Sequence, residues 1–272
     1  MTPHLLQYLR PARLASMALL LGLGLEACSW MKPAAPPVPT PTPVKPASPA
    51  PSPAPAPVKE TRKSSDAIQI VPIPGAEKAE IRVGDKLWYR GGEGIERPTT
   101  ILREVLSIQG GQVQYKQFDV DANGRVSNNS RARRQSTTSL ELDNPAKASG
   151  QVRYVDFPLG LGKTWSYRYQ LKSKNGALTT YDIAARVESE ENITTPAGTF
   201  KALRILHGGQ WNVPVVQGGI VKVSSGSLRS TLWFAPTLGN WVRFESEILN
   251  SDGGLEAKVS QELVRLDRRA DN

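Results

Sequence analysis

The residue best suited to acid–base chemistry is His207, the only histidine after His4 in a chain of 272 residues. A serine or cysteine hydrolase would need this imidazole beside a nucleophile and an orienting carboxylate. Gly208 and Gly209 follow it, and they predict a structural or exposed histidine at a strand end, in preference to a general base. Zinc would need several Cys or His ligands, and the single cysteine is Cys28. The sequence therefore predicts neither enzyme activity nor a cofactor.

Oxygen-bearing side chains alternate in one short segment, where Asp119, Asp121 and Asn123 precede Gly124. Ligands at alternate positions before a glycine can wrap a calcium ion. Calcium loops place a bidentate glutamate at the twelfth position, which is Ser130 here. Asp and Asn before Gly are also ordinary residues of hairpin turns. We therefore interpret the segment as a turn without metal, with calcium as the alternative.

Two groups of carboxylates have the spacing of residues on one strand face. Paired carboxylates can cleave glycosides when a second strand supplies the partner. Alternating acids on a solvated sheet face are the simpler interpretation, and it is the one we adopt. The groups consist of Glu188, Glu190, Glu191, Glu245 and Glu247.

The chain carries a net charge of +9, which becomes +8 when residues 1–27 are removed, since these contain Arg10, Arg13 and Glu26. A positive balance favours anionic partners such as lipid head groups or acidic polymers. The candidate residues for anion binding are Arg131, Arg133 and Arg134. The alternative is a charged loop that is simply solvated.

Aromatic residues alternate along residues 164–172. Trp165, Tyr167 and Tyr169 share one parity with Leu171, while the residues between them are polar. A two-residue period puts the aromatic side chains on one face of a β-strand. We expect them to fill a core, because one sheet face must be buried for the domain to fold. The alternative is a ligand site, for which Trp88 and Trp233 are further candidates on the same curved surface.

Beyond residue 66 the pattern is short alternating runs separated by Gly and Asn turns, which is typical of antiparallel sheet. Asn175-Gly176 predicts a tight hairpin after residues 164–172. Similar turns pair residues 100–108 with 112–118, and residues 241–249 with 255–266. Helical periodicity is almost absent, with a short turn expected near residues 144–150. The predicted class is all-β, with a curved antiparallel sheet forming a half-barrel or a sandwich-like domain.

The N-terminus has the features of a secretion signal. Arg10 and Arg13 precede an apolar run that is too short to span a bilayer permanently. The run ends in Leu25-Glu26-Ala27-Cys28, which resembles the lipobox of bacterial lipoproteins. The resemblance implies that residues 1–27 are removed and that Cys28 is acylated as a membrane anchor. Ser29, by the same resemblance, implies the outer membrane, facing the periplasm.

A proline-rich segment follows the cysteine, with 12 prolines in residues 33–57. Proline favours extended polyproline II, which rises about 3.1 Å per residue, so this segment spans about 80 Å at full stretch. We interpret residues 28–65 as the acylated end and a semi-rigid stalk, and residues 66–270 as the β domain. A docking peptide for a proline-binding groove is the alternative for the stalk.

Three motifs lie in order within residues 157–245. They are Phe157-Pro158-Leu159 with Gly162 and Trp165-Ser166-Tyr167, then Thr195 to Phe200 with Ala202, then Trp233-Phe234-Ala235-Pro236 with Gly239. Together they resemble uncharacterised bacterial envelope β domains of the TapB-like kind. This resemblance implies a curved antiparallel sheet in an exported protein with no established activity.

The predicted function is that of a membrane-anchored, non-catalytic lipoprotein of the periplasm. Its β domain would bind or scaffold an envelope component, either an anionic polymer or another protein. Nucleic acid is not an expected partner of an exported protein. The alternative is a carrier that holds an acyl chain or another apolar ligand in a half-open β-barrel.

Overall fold

The structure is a computed structural model, and it describes residues 71–73, 76, 79–93, 98–217 and 219–268. The predicted signal peptide, Cys28 and the stalk lie outside these residues. All of the described residues belong to one compact unit. None of them forms a helix with the length and apolar character needed to cross a membrane.

The described residues form thirteen strands and one turn of 3-10 helix at Pro236–Leu238. The strands are β1 (Val71–Pro72), β2 (Lys86–Glu93), β3 (Thr99–Gln109), β4 (Gln112–Val120), β5 (Val126–Ser136), β6 (Lys147–Gly150), β7 (Gly160–Leu161), β8 (Thr164–Lys172), β9 (Leu178–Thr195), β10 (Gly198–Gln217), β11 (Ile220–Ala235), β12 (Asn240–Asn250) and β13 (Leu255–Asp267).

Eleven of these strands form one sheet in the order β5-β4-β3-β2-β13-β12-β11-β10-β9-β8-β6, and β1 pairs with β7 separately. Every pairing in the large sheet is antiparallel. Two meanders, β2 to β5 and β8 to β13, are joined where β13 pairs with β2. The sheet ends at β5 and β6 and is not closed into a barrel.

The predicted all-β fold and its hairpins are confirmed. β8 has the predicted bounds, and Gly176 has the positive φ of +88° that the turn into β9 requires. The turn expected near residues 144–150 is wrong for its second half, because Lys147–Gly150 forms β6. There the backbone of Ser149 and Gly150 pairs with Gln170 and Tyr169 of β8 and so uses hydrogen-bonding groups that this strand would otherwise leave unpaired.

A contact between distant strands shows how strongly the sheet curves. Asn240 Nδ2 at the start of β12 donates to the Tyr115 hydroxyl in β4 at 3.4 Å. In a flat sheet these strands, four spacings apart, would be about 19 Å from each other. The inner face therefore folds over on itself, and it carries the buried core.

The hairpin of β10 and β11 extends beyond its neighbours as a two-stranded ribbon. β10 pairs with β9 only as far as Asn212, whereas its pairing with β11 continues to Gln217. Four apolar side chains of this ribbon are 65% to 74% exposed, namely Val216, Ile220, Val221 and Val223. The ribbon is therefore an exposed apolar surface outside the core.

Candidate functional site

His207 lies in the interior of β10, on the inner face of the sheet, and is 3% exposed. The prediction of a strand end is therefore wrong. β10 continues through Gly209, which lies so close to β9 that a Cβ at this position would overlap the Asp182 carbonyl oxygen. The glycine thus permits a close approach of two strands instead of ending one.

Three aromatic rings surround the His207 imidazole. The Tyr167 hydroxyl is 3.2 Å from Nδ1, within hydrogen-bonding distance. The rings of Tyr154 and Trp165 meet the imidazole edge to face, with centroids 6.1 Å and 6.0 Å away. The other ring nitrogen, Nε2, is buried without a hydrogen-bond partner. Since buried polar atoms are normally paired, this nitrogen has an unused hydrogen-bonding capacity.

Burial lowers the pKa of His207 to about 3. Desolvation disfavours the charged imidazolium, and no compensating carboxylate contributes to the shift. The imidazole is therefore neutral at physiological pH. In this form one ring nitrogen donates a hydrogen bond and the other accepts one.

A short polar row crosses the sheet at His207. Ser230 of β11 is the register partner of His207, and its hydroxyl donates to the Ser246 hydroxyl of β12 at 2.8 Å. We call the row and its aromatic neighbours the His207 seam, which consists of His207, Ser230, Ser246, Tyr154, Trp165 and Tyr167.

The seam separates two apolar clusters of the inner face. Leu232 and Phe244 belong to the larger cluster on one side, while Leu228 and Ile248 belong to the smaller cluster on the other. Tyr154, Trp165 and Tyr167 are only half-buried. The aromatic side of the seam is therefore partly accessible, whereas the imidazole beneath it is not.

The predicted aromatic stripe divides between two roles. Trp165 and Tyr167 flank His207, whereas Tyr169 is buried and stacks on Tyr181 with centroids 4.7 Å apart. The expectation of a core thus fits Tyr169 better than its two neighbours.

The structure does not bring Trp233 or Trp88 to these rings. Trp233 alternates with the inner residues of β11, and its ring faces Arg243 at 5.7 Å while its Nε1 donates to Glu191. Trp88 likewise alternates with the inner residues of β2 and stacks under Arg265 at 4.5 Å. Both lie on the opposite face of the sheet.

The contacts around His207 differ from those of a hydrolase triad. Tyr167 occupies Nδ1, where a triad would place its carboxylate, and the Ser230 hydroxyl donates to Ser246 instead of His207. A neutral imidazole with one free nitrogen can still donate or accept a single hydrogen bond.

The candidate calcium segment forms the turn between β4 and β5. Asp121 Oδ1 accepts backbone hydrogen bonds from Asn123 and Arg125 at 2.9 Å and 2.8 Å. Asp119 forms an ion pair with Arg131. Within the part of the chain that the structure describes, no three His, Cys, Asp or Glu side chains are grouped as metal ligands.

The three candidate arginines lie on β5, not in a loop. Arg131 and Arg133 share one face, where they pair with Asp119 and Asp143, and Arg134 is exposed on the other. The three therefore do not form a single cationic surface.

Three of the five candidate carboxylates form ion pairs with neighbouring strands. Arg204 binds Glu188 at 3.0 Å and Lys201 binds Glu190 at 2.8 Å. Lys258 binds Glu247 at 3.0 Å, while Glu191 accepts the indole hydrogen bond of Trp233. Among the residues that the structure describes, Glu245 forms neither kind of contact.

Two residues with unusual surroundings were missed from the sequence. Tyr154 lies between β6 and β7 and reaches both His207 and Trp241, which no local pattern predicts. Arg103 is 2% exposed. It stands two residues from both Ile101 and Val105, so it shares their face of the strand. A charged residue among the apolar positions of a strand was the signal that could have identified it.

No protein-family model and no curated protein matches the chain. A Bacteroides fragilis protein, described as exported with a YmcC-like fold, is 17% identical with a TM-score of 0.40 over 73% of this chain and 99% of its own. A Parabacteroides distasonis protein, described as a lipoprotein, is 16% identical with a TM-score of 0.38 over 68% of this chain and 96% of its own. The hypothetical lipoprotein YmcC of Escherichia coli is 11% identical with a TM-score of 0.33 over 69% of this chain and 85% of its own. Such values do not assign the chain to a family.

Proposed function

We propose that this chain is a lipid-anchored protein of the bacterial envelope whose β domain binds a ligand without catalysis. The lipobox-like residues ending at Cys28 support the anchor, and Ser29 supports the outer membrane. The proline-rich stalk would let the domain act away from the membrane surface. Export of the chain would also separate the domain from cytoplasmic nucleic acid.

One observation carries the binding role, namely the unpartnered Nε2 of a buried His207 beneath half-buried aromatic rings. Leaving such an atom unpaired costs about 1 to 3 kcal/mol. The half-buried rings above His207 would have to move to admit a ligand, and a hydrogen bond between that ligand and Nε2 would recover this cost. Because the imidazole is neutral, the matching group is an uncharged hydroxyl, carbonyl or amide.

The rings of Tyr154, Trp165 and Tyr167 favour an apolar or sugar-like body attached to that group. Flat aromatic faces contribute large contact areas at low cost in conformational entropy. The seam would therefore select a neutral ligand that combines one hydrogen-bonding group with an apolar surface.

A carrier of acyl chains is the second candidate function. Apolar clusters adjoin the seam on both sides, so that a hydrocarbon chain entering there would meet apolar side chains in either direction. An open sheet also leaves more room for a long ligand than a closed small barrel.

The test is to identify what the protein retains during purification. The chain beginning at Ser29 is expressed for export, purified without detergent, denatured and extracted, and the extract is analysed by mass spectrometry. We expect a neutral compound from the wild type that is reduced in His207→Phe and unaffected in Arg134→Gln. Extracts that are identical for all three proteins would reject the seam as the binding site.

A further inference from the structure

Arg103 carries a positive charge in the interior of the sheet. Its guanidinium lies 5.2 Å from the ring centroid of Tyr89 and 5.6 Å from that of Trp241. Its Nε donates to Gln117 Oε1 at 3.3 Å, and its Nη1 is buried without a partner. A guanidinium has five N–H donors, and the two on Nη1 are unused.

The neighbouring charges offset the burial of Arg103 only in part: burial, the largest cause, lowers its pKa, whereas Asp143 acts to raise the pKa. Arg133 is the other buried arginine of the described residues, and it has its own carboxylate, with Nε 3.2 Å from Asp143 Oδ1. The buried carboxylate of Asp85 has Arg268 Nε 4.0 Å away. No ion pair joins Arg103 to any carboxylate among the described residues.

The aromatic contacts are too weak to offset this burial alone. Each cation–π contact contributes about 0.5 to 2 kcal/mol, whereas a buried charge without a partner costs several kcal/mol. Burial also lowers the pKa of Arg103, which reflects the same desolvation of the cation. An anion bound beside the guanidinium would remove the imbalance.

A second unused donor lies beside the same indole. Trp241 Nε1 donates to Gln261 Oε1 at 2.9 Å, and this leaves Gln261 Nε2 buried without a partner. Gln261 is 3% exposed. Arg103 and Gln261 are thus two buried side chains with free N–H groups, one lying over the Trp241 ring and the other bonded to its Nε1.

We propose that Arg103, with Gln261, forms a binding site for a small oxyanion, a carboxylate or phosphate group held against the Trp241 indole. A guanidinium fork matches the geometry of both groups. The group could belong to a free ion or to a lipid head group. This site is separate from the His207 seam, whose imidazole is neutral, and its test does not depend on the seam.

Thermal unfolding of the full mature chain in nonionic detergent tests the site. Inorganic phosphate and acetate are compared with chloride at equal ionic strength, and phosphatidic acid is compared with phosphatidylcholine in the micelles. An anion at one hundred times its Kd should raise Tm by roughly 5 to 10 °C. A rise with free phosphate or acetate identifies a free ion, and a rise with phosphatidic acid alone identifies a head group.

Matched variants locate the effect. Arg103→Met removes the charge and should abolish the rise, while Arg134→Met removes an exposed charge on β5 and should preserve it. If Arg103→Met does not fold, Arg103→Lys serves instead, because it keeps the positive charge but lacks the planar fork. Most of the anion-dependent rise in Tm should then be lost. Equal rises in wild type and Arg103 variants, or no rise with any of these anions in the wild type, would overturn the site.

Discussion

The imidazole of His207 is held neutral by the residues around it, and this makes the protein sensitive to acid. Its ring contacts are aromatic, its Nδ1 is next to a tyrosine hydroxyl, and its surroundings offer the cation no carboxylate. Protonation would therefore place an unpaired charge in the core, so the unfolded chain binds the proton more tightly.

The first prediction concerns the pH dependence of stability. The pKa of His207 is about 3 in the folded state and 6.5 in an ordinary environment. Between these values only the unfolded chain binds the proton, so stability falls as pH decreases from about 6.5 towards 3. Between neutral pH and about pH 5 this residue alone should cost about 2 kcal/mol. Urea unfolding at several pH values measures the loss.

The control is His207→Gln, which retains polar atoms but does not titrate. The variant should lose about 2 kcal/mol less than the wild type over the same interval. Carboxylates contribute equally to both proteins and cancel in the difference. Parallel stability profiles for the two proteins would show that His207 is not buried as described.

At the level of strands, close approach of backbones depends on glycine at particular positions. A Cβ on Gly226 of β11 would overlap the Leu249 carbonyl oxygen of β12 and lie 2.7 Å from Trp211 Nε1. That indole nitrogen donates to the same carbonyl at 3.0 Å. The lack of a side chain at Gly226 therefore permits both the pairing of β11 with β12 and the packing of Trp211 in the smaller cluster.

The second prediction is that Gly226→Ala destabilises the domain by about 3 kcal/mol or more, because overpacking must displace backbone. Tm should fall by roughly 6 °C or more. Gly208→Ala is the matched control, since nothing lies within 4 Å of the new Cβ. It should leave stability unchanged or raise it by up to about 1 kcal/mol. Equal losses in the two variants would contradict the described packing of β11 against β12.

Local patterns predicted the hairpins but not the pairing that joins the two meanders into one sheet. The Asn175-Gly176 turn and the alternation of β8 are visible within a few residues, because turn chemistry and side-chain parity are local. The pairing of β13 with β2 joins the two ends of the domain and has no local signal. Trp233 was placed with Trp165 because aromatic composition does not reveal which face of a strand a residue occupies.

The candidate site was only half predictable for the same reason. Trp165 and Tyr167 could be identified from the stripe on β8. His207 was misjudged because the following glycines suggested a strand end, whereas β10 continues through both and Gly209 permits its close approach to β9. Tyr154 completes the seam from a connecting segment, and only the tertiary fold brings it there.

For the whole molecule, the proposed anchoring depends on a single thiol. The third prediction is that Cys28→Ala yields an unprocessed or soluble chain, because acylation needs the cysteine at the cleavage point. Metabolic labelling with a radioactive fatty acid, followed by membrane fractionation, measures this outcome. Ser29→Ala provides the control and should still be labelled. Label on the Cys28→Ala chain, or none on the wild type, would contradict the lipoprotein assignment.

The measurement that tests the central claim most directly is a fluorescence titration of the chain beginning at Ser29. The probe is a fluorescent long-chain alcohol, which has an apolar body and one neutral hydroxyl. We predict binding that weakens about tenfold or more in His207→Phe and Trp165→Ala, the loss expected for a hydrogen bond or a ring contact. Val221→Ser on the exposed ribbon should bind as the wild type does, which excludes adhesion to that apolar surface. Seam variants that melt cooperatively and still bind with wild-type affinity, or a wild type that does not bind, would contradict the account.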